Sequence, residues 1–239
     1  MRVGPAEMLS INGLSVRLAP WRGSSLVGVL SPLGEGAVMS PTGLANALER
    51  CRERGFGQVI TSALPEDEVG TYLDAGFVTY ERLWLLAHPM VELTKPRRGI
   101  TRRGRRRDRE PSLGVDADSF DEFWRLDSAG LDEAIRATPG SRFRVVDRNG
   151  VVGYSVFGLA GQRGYLQRLA IAQAHRGHGL GSELVRDGLR WLARREVATT
   201  YVNTQERNTT ALKLYQSLGF KLLPRGLVVM STELSASRS

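Results

Sequence analysis

A glycine-rich turn between a predicted strand and a predicted helix constrains this chain more than any other feature. The turn spans residues 176–181 and reads RGHGLG, with a strand-like run at 164–171 and a helix-like run at 182–194. Such a turn directs free backbone N–H groups and the positive end of a helix dipole at one point. Glycine lets a ligand approach the backbone, and the Arg176 guanidinium suits phosphate oxygens. The turn therefore predicts a phosphate-binding site.

The spacing of the turn excludes two common phosphate loops. A P-loop ends in Gly-Lys-Ser/Thr, and this turn has no lysine. A dinucleotide-binding loop that began at Gly177 would need glycine at the position of Ser182. The remaining pattern is R-x-x-G-x-G after a strand, carried by Arg176, Gly179 and Gly181.

A second motif lies downstream at residues 208–220 and reads NTTALKLYQSLGF. Its apolar residues recur at helical spacing, and Gly219 is placed to end the helix. With both motifs, residues 113–232 resemble the GNAT family of acetyl-CoA-dependent N-acetyltransferases. The turn fits the family's Q/R-x-x-G-x-G/A signature, and residues 208–220 fit N-x-x-A-x-x-L-Y-x-x-x-G-F at every position.

The resemblance implies an α/β (α+β) fold with a mixed central sheet flanked by helices. It implies transfer of an acetyl group from acetyl-CoA to a primary amine of a small molecule or a protein, without a metal. Tyr215 would be the general acid that protonates the departing sulfur. The residues expected to bind the coenzyme are Leu169, Ala170, Ile171, Arg176, Gly177, His178, Gly179, Leu180, Gly181, Ser182 and Asn208.

The general base is left open by the sequence. Many relatives carry a glutamate on the strand before the loop, but residues 165–168 read YLQR. Tyr165 or Gln167 could orient a water molecule, or the amine could arrive already neutral. Further candidates, each better explained as a surface or capping residue, are Asp116, Glu122 and Asp127.

The order of elements in the second half matches the resemblance. The sequence predicts a short strand at 113–115, helices at 119–129 and 131–137, and a hairpin of strands 142–146 and 151–157. The turn of that hairpin, residues 147–150, reads DRNG, which is a strong hairpin signal. We therefore expect a catalytic domain at residues 111–235.

The first half looks like a shortened second copy of the same unit. It predicts a helix that begins at Ser40-Pro41, a strand, a short helix and a Gly-Phe pair. Tyr72 precedes Gly76 by four residues, as Tyr215 precedes Gly219. The loop at 34–36 has no arginine and carries Glu35, which would repel a pyrophosphate. Residues 1–92 are thus expected to be a degenerate GNAT-like domain, with Cys51 in its core.

An arginine-rich segment, expected to be a solvated linker at residues 93–110, separates the two halves. It supplies much of the net charge of +8. An alternative is that this segment contacts RNA, the ribosome or an acidic partner. An alternative to an enzymatic function is that the protein is a non-catalytic acyl-CoA-binding sensor or interaction protein. The single cysteine, the absence of a long apolar run and the lack of a signal-peptide pattern favour a cytoplasmic location away from the membrane.

Overall fold

The computed structural model describes residues 6–34 and 37–234, and the chain forms two compact units. The first unit comprises the described parts of residues 1–84 and 224–239, and the second comprises residues 85–223. These limits differ from the predicted boundaries at 92/93 and 110/111. The arginine-rich segment belongs to the second unit, whereas the last strand of the chain belongs to the first. The predicted carboxylate at the loop 34–36 lies outside the described residues.

The first unit is a mixed sheet with two helices. Its strands are β1 (Glu7–Ile11), β2 (Leu14–Pro20), β3 (Val27–Leu33), β4 (Gln58–Thr61), β5 (Leu64–Pro65), the part of β6 (Val78–His88) up to Trp84, and β13 (Leu227–Glu233). Its helices are α1 (Pro41–Glu53) and α2 (Gly70–Asp74). Strands β1 to β3 form an antiparallel meander, β4 pairs with β3 in parallel, and β13 is antiparallel to β4, β5 and β6.

The second unit is also a mixed sheet flanked by helices. Its strands are the end of β6, β7 (Arg102–Arg103), β8 (Gly140–Asp147), β9 (Val151–Ala160), β10 (Arg163–Ile171), β11 (Thr199–Gln205) and β12 (Lys221–Leu222). Its helices are α3 (Arg109–Ser119), α4 (Ser128–Arg136), α5 (Leu180–Ala193) and α6 (Thr209–Ser217). Strands β7 to β10 are antiparallel, β11 pairs with β10 in parallel, and β12 pairs with the end of β6.

The two units repeat one order of elements. Each has a three-stranded meander, a helix, a strand parallel to the third strand of the meander, a short helix and a final strand. The turns after the short helices match in detail. Phe77 N–H donates to Tyr72 C=O at 2.9 Å, and Phe220 N–H donates to Tyr215 C=O at 3.1 Å. Gly76 and Gly219, with φ values of 83° and 91°, make these turns possible.

Helix α1 has the features that the sequence predicts. Ser40 Oγ accepts a hydrogen bond from Gly43 N–H at 3.1 Å, and Pro41 occupies the first helical position. Cys51 is completely buried on the apolar side of the helix, and burial raises the pKa of its thiol to about 12. Its role as a core residue is confirmed.

Two local predictions in the second unit are wrong. Residues 113–115 are not a strand but part of α3, because the buried side chains Ser112, Val115 and Asp116 follow helical spacing. Residues 119–129 are not a helix. Ser119 ends α3, a 3-10 turn follows at Glu122–Trp124, and α4 begins at Ser128 behind the capping side chain of Asp127. The predicted hairpin around residues 147–150 is confirmed by β8 and β9.

The arginine-rich segment is not a uniformly solvated linker. Arg102 lies in β7, and its guanidinium donates to both carboxylate oxygens of Asp108 at 2.7 Å and to Asp147. Hydrogen bonding to Arg102 is the main cause that lowers the pKa of Asp108 to about 2, which burial opposes. A buried, paired carboxylate of this kind fixes the chain where it enters α3.

Helix α5 lies close against β9 and positions the glycine turn. Leu180 and Leu184 are buried with Val146 and Val152. An ideal Cβ on Gly188 would lie 2.1 Å from the ring of Phe157, so only glycine permits this approach. The start of α5 is therefore held at a fixed place beside the end of β10.

The burial of His88 makes the stability of the fold depend on pH. It is buried, accepts from Met90 N–H at Nδ1 (2.9 Å) and lies 3.0 Å from Leu218 C=O through Nε2. This arrangement suits the neutral ring with the proton on Nε2. Burial lowers the pKa of His88, which the hydrogen bond to Leu218 partly opposes. Its contribution is complete above the unfolded pKa of about 6.5 and is lost as pH falls through the lower folded pKa.

We expect the free energy of unfolding in urea to fall between about pH 8 and about pH 5.5, and to fall less in His88→Gln, which lacks the titrating group. An equal fall in both proteins would contradict this assignment.

Candidate active site

The glycine turn leads from β10 into α5. After Ile171 the chain makes a 3-10 turn at Gln173–His175, and α5 begins at Leu180. Gly177 and Gly179 have φ values of 78° and 73°, in the left-handed region. No side chain caps α5 among the described residues, so its first backbone N–H groups are available to an anion.

The residues of the glycine turn differ in whether their side chains are exposed to a ligand. Arg176 is exposed, and its Nε donates to Ile171 C=O at 3.1 Å, which ties the guanidinium to the end of β10. His178 is exposed and Ser182 is half-buried. Leu180 is 2% exposed and packs in the core, so only its backbone can contact a ligand. The loop therefore works mainly through its backbone.

Gly181 is the point where three elements meet. An ideal Cβ on this residue would lie 3.3 Å from Leu214 Cδ2 of α6 and 3.8 Å from Ile171 Cγ1 of β10. The structure thus brings together the loop, the end of β10 and the helix that carries Tyr215. Gly181 and Leu214 are more than thirty positions apart along the chain.

Strands β10 and β11 separate next to this meeting point. Among the described residues their parallel pairing runs only from Arg163↔Thr199 to Tyr165↔Tyr201, although β10 continues to Ile171. The predicted coenzyme-binding residues 169–171 lie in the separated part and pair with β9 on the other side. The opening between the two strands therefore leaves one edge of β10 open at residues 169–171.

In the described part of the first unit, β4 does not separate from β3 as β11 separates from β10. Strands β3 and β4 pair in parallel from Val27↔Gln58 to Leu30↔Thr61, which is the whole length of β4. The equivalent strands of the two units therefore differ where a ligand would enter.

Tyr215 is buried, with 6% of its surface exposed, and packs against Phe220 at 5.7 Å between ring centroids. Burial raises the pKa of its phenol well above the usual range, and the positive charge of Arg168 opposes this in part. The phenol therefore carries its proton at neutral pH, as a proton donor must.

Asn208 caps α6. Its Oδ1 accepts from Ala211 N–H at 3.0 Å, which satisfies a backbone donor in the first turn of the helix. The side-chain amide still has two donors of its own.

The three candidate carboxylate bases either have a structural role or are exposed to solvent. Asp116 is completely buried and accepts from Tyr154 Oη, from Arg168 Nε and Nη2 at 2.7 Å, and from Leu126 N–H at 2.7 Å. These donors occupy both oxygens of Asp116, so the carboxylate holds α3 against β10. Asp127 caps α4 through Gly130 N–H at 2.6 Å, and Glu122 is exposed.

Gln167 lies at an irregularity of β10, where the pairing with β9 shifts between Leu166 and Arg168. Its Oε1 is buried and has no hydrogen-bond partner among the described residues. A buried acceptor without a partner is costly, and a water or a ligand N–H would satisfy it. Tyr165, the other candidate, stacks on Tyr201 at 6.1 Å.

Arg97 is a residue at this site that the sequence reasoning missed. Its backbone N–H and its Nε donate to the carboxylate of Glu183, at 2.6 and 3.1 Å, in the first turn of α5. Its Nη2 would lie 3.8 Å from an ideal Cβ on Gly179. Arg186 also donates to Glu183 at 2.9 Å. No spacing in the sequence signals a contact across 86 residues, since Arg97 stands among many arginines.

The described residues contain neither a metal-binding group nor a membrane-spanning helix. No group of three or more His, Cys, Asp or Glu side chains there could hold a metal ion. None of the described helices has the length and apolar character needed to cross a membrane.

Comparisons with known proteins agree with this geometry. The profile of the acetyltransferase (GNAT) family matches residues 108–220. A curated relative, N-alpha-acetyltransferase 30 of Saccharomyces cerevisiae, is 33% identical over 63 residues, which are 26% of this chain. The matched part spans 36% of that relative's length.

Solved structures resemble the chain over nearly its whole length. A GCN5-related N-acetyltransferase from Kribbella flavida has a TM-score of 0.67 at 14% identity, covering 98% of this chain and 91% of that one. A tandem GNAT protein from the clavulanic acid biosynthesis pathway has a TM-score of 0.68 at 18% identity, covering 95% and 80%. At these identities the likeness concerns the fold, and it confirms the predicted GNAT fold. Residues 108–220 therefore form a domain of the acetyltransferase (GNAT) family.

Proposed function

We propose that this protein transfers an acetyl group from acetyl-CoA to a primary amine of a small molecule or a protein. The observation that carries the proposal is the opening between β10 and β11, which ends at the uncapped start of α5. A pantetheine arm would lie along the open edge of β10 at Leu169, Ala170 and Ile171. The pyrophosphate would lie against the N–H groups of residues 176–182. A cytoplasmic location, where acetyl-CoA is available, is part of this proposal.

The reaction needs a nucleophile, a polarised carbonyl and a proton for the leaving group. The amine nitrogen attacks the thioester carbon, a backbone N–H of β10 stabilises the oxygen, and the C–S bond breaks. Tyr215 donates its proton to the sulfur, and the product is an amide. The amine loses one proton, which a water held by Gln167 Oε1 accepts and passes to solvent. Asn208 contributes by fixing α6 and by its free amide donors.

The first unit is proposed to be a degenerate copy that binds no coenzyme. The repeated order of elements supports common architecture. The pairing of β4 with β3 over the whole length of β4 supports the loss of the ligand opening. In this view, the chain has one active site, in the second unit.

A second candidate function is a non-catalytic acyl-CoA sensor. It is favoured by the absence of a carboxylate from β10, which reads RGYLQRLAI, and by the full occupation of Asp116. A thiol-release assay with acetyl-CoA and a panel of small amines and peptide N-termini separates the two. Amine-dependent release of free thiol supports the enzyme; tight coenzyme binding without release for any amine supports the sensor.

Arg97 is proposed to contact the phosphates of the coenzyme. Glu183 would otherwise place a negative charge beside the anion site, and Arg97 both neutralises it and extends its outer guanidinium nitrogens toward Gly179. We expect Arg97→Gln to weaken acetyl-CoA binding about 10- to 100-fold, since a hydrogen bond to a charged group contributes about 1.5–3 kcal/mol.

The matched control is Arg98→Gln, which removes the neighbouring exposed arginine. S-acetylpantetheine, which has no pyrophosphate, should bind Arg97→Gln and the unaltered protein alike. The double variant Arg97→Gln/Glu183→Gln should recover any lost thermal stability. If S-acetylpantetheine is weakened as strongly as acetyl-CoA, Arg97 acts through the fold and not through the phosphates.

A further inference from the structure

A groove lined by seven arginines lies on the second unit, away from the glycine turn. Four of these arginines come from residues 103–109, two are Arg142 and Arg144 of β8, and one is Arg195 after the end of α5. The groove has a volume of about 460 Å³, and no acidic residue of the described chain lines it. The glycine turn adjoins the opposite end of α5, so the two sites are distinct.

The positive charge of the groove is only partly neutralised. Asp187 pairs with Arg142 at 2.6 Å and with Arg144 at 3.1 Å, and Asp132 pairs with Arg109 at 2.5 Å. The side chains of Arg103, Arg105 and Arg106 are exposed and have no carboxylate within ion-pair distance among the described residues. Arg195 donates a hydrogen bond to Trp191 C=O at 3.2 Å. The seven arginines of the groove therefore pair with two carboxylates in the described structure, and neither carboxylate lines the groove.

The groove differs from a solvated charged face in its construction. Arg142 and Arg144 are both held by the buried Asp187, and the Nε of Arg144 is buried without a hydrogen-bond partner in the described structure. Burial lowers the pKa of Arg144, which Asp187 opposes and Arg142 reinforces. Like charges repel, so gathering seven guanidinium groups from separate segments is unfavourable unless an anion joins them.

We propose that this groove binds the sugar–phosphate backbone of a nucleic acid without reading its bases. Guanidinium groups match phosphate oxygens in geometry, and a polymer of phosphates can engage several of them at once. Two aromatic residues line the groove, Phe143 and Trp191, and neither offers a free face on which a base could stack. Phe143 packs on Tyr154 at 6.1 Å between ring centroids, and Gly104 lies against its ring. Trp191 is 8% exposed, and the guanidinium groups of Arg195 and Arg142 lie 4.6 and 6.0 Å from its ring. The ring is thus covered and provides no platform for stacking.

The test measures binding of a fluorescent single-stranded RNA of mixed sequence to the full chain over a range of salt concentrations. The variant Arg103→Gln/Arg105→Gln/Arg106→Gln removes three unpaired charges from the groove. The control Arg98→Gln/Arg107→Gln/Arg148→Gln removes three exposed arginines that do not line it. Both variants change the net charge equally, and Arg98 and Arg107 come from the same arginine-rich segment.

We expect the groove variant to lose about tenfold or more in affinity, with a salt slope shallower by about 2, because each phosphate contact to a single strand contributes about 0.7. The control should bind nearly as the unaltered protein does. Arg195→Gln, at the other side of the groove, should also weaken binding. Saturating acetyl-CoA should leave RNA binding unchanged, because the two sites are separate.

Four outcomes would overturn the proposal. Equal loss in both triple variants would mean that net charge alone attracts the RNA. Absence of RNA binding at low salt would remove the ligand class. Displacement of RNA by acetyl-CoA would place the RNA at the glycine turn. Tighter binding of a poly-glutamate peptide than of RNA would make the groove a site for acidic proteins. Thermal unfolding of each variant verifies that it is folded.

Discussion

Tyr215→Phe is expected to slow acetyl transfer by about 10²- to 10⁴-fold and to leave acetyl-CoA affinity almost unchanged. The substitution removes one hydroxyl and keeps the ring that packs on Phe220. A positioned general acid typically contributes that factor in rate. The loss should therefore be in kcat, measured with saturating acetyl-CoA, and not in the dissociation constant of the coenzyme.

The repeat provides a matched control, Tyr72→Phe. Tyr72 occupies the equivalent position in α2, packs on Phe77 at 5.4 Å and is 1% exposed. Its hydroxyl is buried without a hydrogen-bond partner among the described residues, so its removal should cost no stability. Turnover should be unaffected by this change. If Tyr215→Phe also keeps full turnover, Tyr215 is a core residue and has no part in the chemistry.

Gly181→Glu is expected to abolish acetyl-CoA binding, with a loss of at least about 100-fold. The new carboxylate would stand in the anion site, and its Cβ would press on Leu214 at 3.3 Å. Repulsion of the pyrophosphate and loss of the close backbone approach act in the same direction. The measurement is the dissociation constant of acetyl-CoA for the purified variant.

Two further variants separate charge from size and from general damage. Gly181→Ala adds only the Cβ next to the flexible end of Leu214, and it should bind acetyl-CoA within about tenfold of the unaltered protein. Gly114→Glu places the same carboxylate on an exposed face of α3, where an added Cβ meets nothing within 4 Å. Weak binding by Gly114→Glu would show that the loss at Gly181 is not specific to the loop.

Local sequence signals predicted the parts of the fold that short-range physics determines. The glycine turn, the Ser40 cap, the hairpin at 147–150 and the Gly219 stop all depend on residues within one or two turns of each other. The paired motifs also predicted which unit contains the GNAT domain. These features required no knowledge of distant contacts.

The errors and omissions arise from contacts between distant parts of the chain. Residues 113–115 looked like a strand, because an apolar run of three cannot distinguish a strand from a helix; the buried Asp116 bonded to Arg168 determines that α3 packs there. The arginine-rich segment looked solvated because its acidic partners, Asp147 and Glu183, lie far along the chain. The sequence contains these charges but not their pairing.

Calorimetric titration of the full chain with acetyl-CoA tests the central claim most directly. We predict a single acetyl-CoA-binding site per chain, formed by the glycine turn and the opening between β10 and β11 of the second unit. Saturation at one acetyl-CoA per chain would agree with an active second unit and a first unit that binds none. Absence of binding would contradict the proposed function, and two sites per chain would contradict the degenerate first unit.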